Sequence, residues 1–315
     1  MLGNNIEVNF ENDKIQNIIL DRMASTKYHA IDSTLLIGVN SVDGQVINLN
    51  FENDELSTIH AKGDARGTFI PERNNSNIDS TVVYKSEEID YLLKTQESFL
   101  HESGEIKYQN MVLDANYIHV DWENNTLDAI KKSDKLPSVI TDNGDPMEGD
   151  SLKYNLLDKQ GTIYKGKTKI DDAYYHGNQI YRDDPNLYHV TSSEYTSCDL
   201  DHPHYSFYSD NMKMIPGDRI IARPLILKIF DFPIIGVPFA VLPNKGGSRH
   251  SGWIMPSFGF DNTNGSTMNG LGYYWAPNDY MDSKLIINFA DRIGFWVRNK
   301  TRYKLRYKID GEIDI

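Results

Sequence analysis

The sequence predicts an all-β protein, and three observations carry that reading. Its 19 tyrosines and 22 glycines combine strand-favouring aromatic side chains with the residue that turns need most. A pattern of three apolar residues alternating with polar ones and closing on an Asn/Asp turn occurs at residues 6–13, recurs at 47–54 and returns in weaker form at 118–125. Residues 295–309 alternate again, cations on one face and apolar side chains on the other. No run of about 18 apolar residues exists to make a transmembrane helix. The most apolar stretch, residues 226–242, carries Lys228, Asp231, Pro233 and Pro238, and its prolines would break a helix.

Each copy of the early pattern is expected to be a half-buried strand. The faces expected inside are Ile6, Val8 and Phe10; Ile47, Leu49 and Phe51; and Ile118, Val120 and Trp122. Strands that cover only one face must stack, which predicts a quasi-linear β array. A sandwich core and an open groove fit that composition equally. Residues 71–80 read as an Asn-rich exposed loop, and residues 131–150 as a second loop. Asp142, Asp145, Glu148 and Asp150 in the latter lack the spacing of an EF-hand and read as a solvated acidic loop. Strands resume at residues 151–156, where Leu152, Tyr154 and Leu156 share a face.

Cys198 is the only cysteine. With His202 and His204 it gives one Cys and two His in one turn, but zinc needs three or four ligands in tetrahedral geometry and no second cluster is present. No metal or cofactor is expected. A lone cysteine in an exported chain pairs with a thiol outside the visible segment or packs as a small apolar residue. Residues 218–242 are expected to form the apolar heart of the soluble part. Leu225, Leu227 and Ile229 share one strand face there, while Pro233 and Pro238 bend the chain or confine it to a sheet edge. A flexible, basic link is expected at residues 243–249.

Beyond it, residues 252–260 and 266–275 read as aromatic strands joined by a turn at 261–265. Their length suits a membrane barrel, whose strands need only ~9–11 residues. In the alternating strand that follows, Arg298, Lys300, Arg302, Lys304, Arg306 and Lys308 share a face that must be wet. Phe295, Val297, Tyr303, Leu305, Tyr307 and Ile309 on the other face are free to meet lipid or a core. The start lacks the features of a signal peptide, the end runs toward a further strand, and so few strands cannot close a barrel. The chain is therefore expected to be a fragment lacking both ends. A net charge of −13 argues against a general nucleic-acid binder. Zinc-helix, nucleophile-elbow and dinucleotide motifs are missing, so no catalytic residue is expected.

Several stretches together resemble the outer-membrane lipopolysaccharide-assembly family, LptD, also called the OstA or organic solvent tolerance family. They are residues 149–156 followed by Lys159, Gln160 and Gly161; residues 195–199 around Cys198; Pro233 and Pro238 ahead of Leu242 and Pro243; and residues 251–256 leading to 272–278. The order holds from about residue 80 to residue 291, while residues 1–75 resemble the family only through their repeats. The resemblance implies a periplasmic β-jellyroll of stacked OstA-type strands, followed by the first strands of an incomplete outer-membrane β-barrel. Residues 1–75 would extend the jellyroll, 76–245 would form it, and 246–315 would begin the barrel.

The same resemblance implies lipopolysaccharide as cargo, its acyl chains carried in a slot walled by Ile118, Val120, Trp122, Leu152, Tyr154, Leu156, Leu225, Leu227 and Ile229. It implies a lateral gate at Pro256, with the family's second gate proline falling on Gly272, and a disulfide from Cys198 to a cysteine near the far end of the barrel. A periplasmic bridge protein at the N-terminal sheet edge and an outer-membrane lipoprotein plug are the implied partners, and nucleic acid is not. Two other readings compete: a stacked β adhesin with a carbohydrate surface, and a β-solenoid polysaccharide lyase or hydrolase.

Overall fold

The computed structural model describes residues 1–32, 35–72, 76, 78–141, 146–170, 173–184, 187–196, 198, 200, 203–216, 218–243, 251–305 and 307–315. Among them every helix or strand element is a strand, so the all-β prediction holds. The chain divides into two compact units, Met1–Asp171 with Gln179–Pro185, and Asp172–Asn178 with Asn186–Ile315.

The first unit begins with seven strands: β1 (Asn5–Glu11), β2 (Lys14–Asp32), β3 (Leu35–Glu52), β4 (Glu55–Pro71), β5 (Val82–Leu92), β6 (Glu97–Tyr108) and β7 (Met111–Asp121). Each pairs antiparallel with the next. The Asn/Asp ends of the repeat are the hairpin tips. Asn12 and Asp13, like Asn53 and Asp54, all have positive φ, the backbone state that a two-residue hairpin demands and that Asn and Asp tolerate. The unit closes with β8 (Thr126–Ile130), β9 (Ser138–Thr141), β10 (Met147–Glu148), β11 (Ser151–Asn155) and β12 (Gly161–Ile170). There β8 pairs with β11, and β10 with β9 and β12.

Register jumps bend five successive strands at mid-length: at Asp21/Ala24, Asp43/Val46, Lys62/Ala65, Lys85/Glu88 and His101/Gly104. A bulge kinks its strand and increases its twist. Aligned across neighbours, these bulges fold one half of every strand over the other. Ring contacts across the fold record the result: Tyr28 lies 5.9 Å from Tyr91, and Phe69 lies 5.1 Å from Trp122. Between the halves Leu20, Ile47, Leu49, Leu100, Ile118 and Val120 are fully buried, each contributing roughly 1.5–3 kcal/mol of burial.

One expectation needs correction here. Ile6, Val8 and Phe10 were expected inside, yet they are 54%, 39% and 65% exposed. β1 starts the stack, and nothing described covers its face. β4 and β5 are hydrogen-bonded to each other on either side of residues 73–75.

The two units share β13 (Ala173–Asp184). In the second unit follow β14 (Leu187–Thr196), β15 (Tyr205–Ile215), β16 (Arg219–Arg223), β17 (Leu225–Ile229), β18 (Phe232–Val237) and β19 (Ala240–Pro243). β15 pairs with β14 on one side; on the other it pairs with β16 and β17, set end to end. β18 pairs with β17, and β19 with β16. Residues 230–239 are not the apolar heart that their composition predicts: Phe230, Phe232, Ile234, Ile235 and Phe239 are 47–75% exposed. Among the described residues β18 pairs with β17 alone, as its proline-bearing edge demands.

A separate sheet holds β20 (Gly252–Ile254), β21 (Ser257–Asp261), β22 (Gly265–Asn278), β23 (Met281–Ala290), β24 (Gly294–Leu305) and β25 (Ile309–Asp314). It is an antiparallel meander from β22 to β25, with β20 and β21 both on β22. β24 stops at Leu305, short of the predicted end. Tyr307 has positive φ, and the Lys308 amide donates to the Leu305 carbonyl in a turn. Most of the expected link at 243–249 and part of the acidic loop at 142–150 lie outside the described residues.

Candidate functional site

A cavity of about 250 Å³ lies within the second unit, between the β17–β18 hairpin and the start of the β20–β25 sheet. One wall is Phe207, Leu225, Leu227, Ile235 and Val237. The other is Trp253, Met255, Pro256, Met268 and Leu271. Its surface is almost wholly apolar, so a hydrocarbon fits it and a sugar or phosphate does not.

The second wall contains a broken strand. β20 and β21 are two pieces of one strand laid along β22: Ile254 pairs with Gly272, and pairing resumes only at Ser257 with Asn269. Met255 and Pro256 fall in the gap, with Gly270 and Leu271 opposite. Proline has no N–H to give the ladder, which explains why the strand parts at Pro256. Gly270 has φ +85°, a conformation open to glycine, and its amide donates to Asn288 Oδ1 at 2.8 Å. Gly272 borders the gap. A Cβ there would collide with the Leu285 carbonyl oxygen, so β22 and β23 meet more closely than any side chain would allow.

The predicted slot residues fall in two places. Ile118, Val120, Leu152, Tyr154 and Leu156 are buried in the first unit, as is Trp122, whose Nε1 donates to Ser98 Oγ at 2.7 Å. Trp122 also borders a cavity of about 120 Å³ with Phe69, Ile78 and Tyr91, room for roughly four waters at ~30 Å³ each. Leu225 and Leu227 line the larger cavity of the second unit; Ile229 is half-buried beyond it.

The β22–β25 sheet has two faces. Tyr273, Leu285, Phe289, Phe295, Val297 and Tyr303 share the apolar face and are 38–77% exposed. Arg298, Lys300, Arg302 and Lys304 share the other, and the first three are paired with carboxylates. Arg298 Nε donates to Asp314 at 2.8 Å, Lys300 sits 2.8 Å from Glu312, and Arg302 donates to Asp282 at 3.0 Å. Lys304 stands opposite Asp310 in register. Lys308 lies in the turn, and Arg306 lies outside the described residues. The acidic alternation of Asp310, Glu312 and Asp314 is the sequence signal for this partner of the basic strand. Asn288 was missed as well; it is the one polar residue within the apolar run 285–290.

Cys198 is half-buried, with Sγ 3.6 Å from His204 Nδ1. His202 is outside the described residues, and no metal-binding cluster occurs among the described ones.

The profile of the family described as LptD protein matches residues 220–315. The LPS-assembly protein LptD of Hahella chejuensis is 27% identical over 263 residues, covering 76% of this chain and 32% of that protein. The corresponding protein of Nitrosospira multiformis is 26% identical over 165 residues, 51% of this chain and 17% of that one. That of Aliivibrio fischeri is 25% identical over 162 residues, 49% and 20%. The matches span about a third or less of the length of these relatives. The cavity and the strand broken at Pro256 thus lie in a chain similar to the LPS-assembly LptD proteins, whose residues 220–315 match the model of the family described as LptD protein.

Proposed function

We propose that this protein works in lipopolysaccharide assembly at an outer membrane, passing acyl chains through the apolar cavity beside Pro256 and out between loosened strands. The carrying observation is that cavity, which ends against the broken strand. Carrying an acyl chain of roughly ten methylenes through water exposes ~0.8 kcal/mol per methylene, about 8 kcal/mol in all. An apolar passage removes most of that barrier, and a strand lacking hydrogen bonds at one point costs little to part.

In this reading β20–β25 are the first strands of a barrel, its apolar face toward lipid and its charged face toward a wet lumen. The apolar interior of the first unit, with Ile118, Val120, Trp122, Leu152, Tyr154 and Leu156, is the periplasmic jellyroll. Its halves are packed together, so cargo enters only when they part, and the cavity at Trp122 is the natural point of entry. The exposed Ile6, Val8 and Phe10 on β1 support docking of a periplasmic bridge protein along that edge. Gly272 acts with Pro256 at the gate. Arg298, Lys300 and Arg302 meet phosphate in exchange for their carboxylate partners, Lys304 joins them on the same face, and Arg306 and Lys308 follow beyond the strand end. Cys198, half-buried and free in this chain, forms its disulfide with a cysteine of the distal barrel. A lipoprotein plug fills the lumen. The work is transport, without covalent chemistry.

Photocrosslinkers at Val120, Trp122 and Leu227 test the path. Capture of lipid A from these positions, and not from His119 or Lys228 on the polar face, is expected. Capture only from the polar positions defeats the assignment.

A further inference from the structure

The β17–β18 hairpin leaves more apolar surface open than a wall of the cavity needs. At its turn and along β18, Phe230 is 67% exposed, Phe232 75%, Ile234 60% and Ile235 63%, with Phe239 just beyond at 47%. Contiguous apolar surface of this kind marks a contact site rather than a soluble exterior. Asp231 at the tip is the one charged residue from 229 to 239, and prolines at 233 and 238 leave the hairpin with two fewer amide donors to satisfy.

We infer that this hairpin is a membrane-dipping arm, an element outside the barrel sheet that lies in the acyl region of the adjacent leaflet. Continuity with the sheet identifies the occupant. Ile235 and Val237 face the same cavity as Trp253, Met268 and Leu271, and Trp253 packs edge-on against Tyr273 at 5.4 Å on the apolar face of the sheet. A surface that continues a lipid-facing strand meets the same solvent. Length sets the depth: β17 has five residues and β18 six, against the ~9–11 that a crossing strand needs. The arm therefore enters one leaflet and does not span. Lying along the interface, it leaves the Asp231 carboxylate among headgroups while Phe230 and Phe232 reach the acyl chains. It would also keep the mouth of the cavity within hydrocarbon.

The inference rests on the proposed membrane reading of β20–β25, and its test separates the two. A benzophenone amino acid is placed at Phe232, at Ile234, at Val297 on the apolar face of β24, and at the exposed Asp210 on β15. The intact protein is reconstituted in vesicles of phosphatidylethanolamine and phosphatidylglycerol without lipopolysaccharide, and adducts are read by mass spectrometry. Phospholipid adducts at 232, 234 and 297 but not at 210 are expected. Adducts at 297 with none at 232 and 234, or with only peptide adducts there, overturn the arm and leave the barrel reading intact. Absence of lipid adducts at 297 overturns both.

Discussion

Asn288 on β23 accepts the amide of Gly270 on β22 at 2.8 Å, across from the gap where Met255 and Pro256 interrupt the first strand of the sheet. The bond gives a partner to a backbone donor that the bulge at Gly270 has released from the ladder. The structure thus has a strand that is loose on one side of β22 and fastened on the other. Asn288→Leu should leave the Gly270 amide unpaired at a cost of about 1–3 kcal/mol. Hydrogen exchange at Gly270 should accelerate while exchange in β24 stays unchanged.

Pro256→Ala returns an amide to the first strand. If the gap is the seam through which cargo leaves, the restored donor should strengthen β20–β22 pairing by about 0.5–1.5 kcal/mol and slow the arrival of lipopolysaccharide at the cell surface. Gly272→Ala acts differently, because its methyl meets the Leu285 carbonyl. Overpacking of this kind costs typically ~1–3 kcal/mol and should reduce the yield of folded protein before any transport is measured.

The charged face separates two kinds of ion pair. Asp282 is 5% exposed at its side chain beside Arg302, whereas Lys300 and Glu312 are 40% and 46% exposed. Arg302→Ala takes a charged hydrogen-bond donor from a buried carboxylate, a loss of about 1.5–3 kcal/mol; Lys300→Ala should change stability by only ~0–1 kcal/mol. Heat-modifiable migration on gels reports both. Equal effects of the two substitutions would contradict the geometry.

Alkaline pH should unfold the first unit from within. Burial raises the Tyr84 hydroxyl far above the ordinary tyrosine range, with the hydrogen bond to Asn40 pulling partly back, and burial likewise raises Tyr91. Tyr108 is raised by burial and by its hydrogen bond to Asp79. A folded-state pKa above the unfolded value means that the unfolded chain ionises first. The stabilisation is thus whole below the unfolded tyrosine pKa near ~10 and is lost as pH climbs above it. Asp79 runs the other way. The Tyr108 hydrogen bond lowers it, so its contribution is present above the unfolded carboxylate pKa and is lost as pH falls through the folded value. Tyrosinate absorbance and Trp122 fluorescence should change together in an alkaline titration; tyrosinate forming in a still-folded chain would contradict this.

The fold was legible because period-two patterning and Asn/Asp turns are local signals. Residues 47–54 and 118–125 put their apolar faces where the alternation placed them, Phe51 only partly. The same signal could not tell that Ile6, Val8 and Phe10 stand at the end of the stack, since burial there depends on a neighbour that alternation does not encode. Nor could composition separate a core from an exposed hairpin at residues 230–239, because both are apolar; only strand partners decide. Residues 252–260 read as one strand, and a weak point at Pro256 came only with the family resemblance. Its support by Asn288 was not legible, because that contact depends on the β22–β23 register.

The central claim is that acyl chains cross the cavity between β18 and β22, and filling that cavity tests it most directly. Val237 lines it from the cavity face of β18, and Val237→Trp would push an indole into that volume. At matched levels of folded protein, delivery of lipopolysaccharide to the surface should fall at least about tenfold, since exposing only two more methylenes to water costs ~1.6 kcal/mol. Delivery at the wild-type rate through a filled cavity would contradict the account.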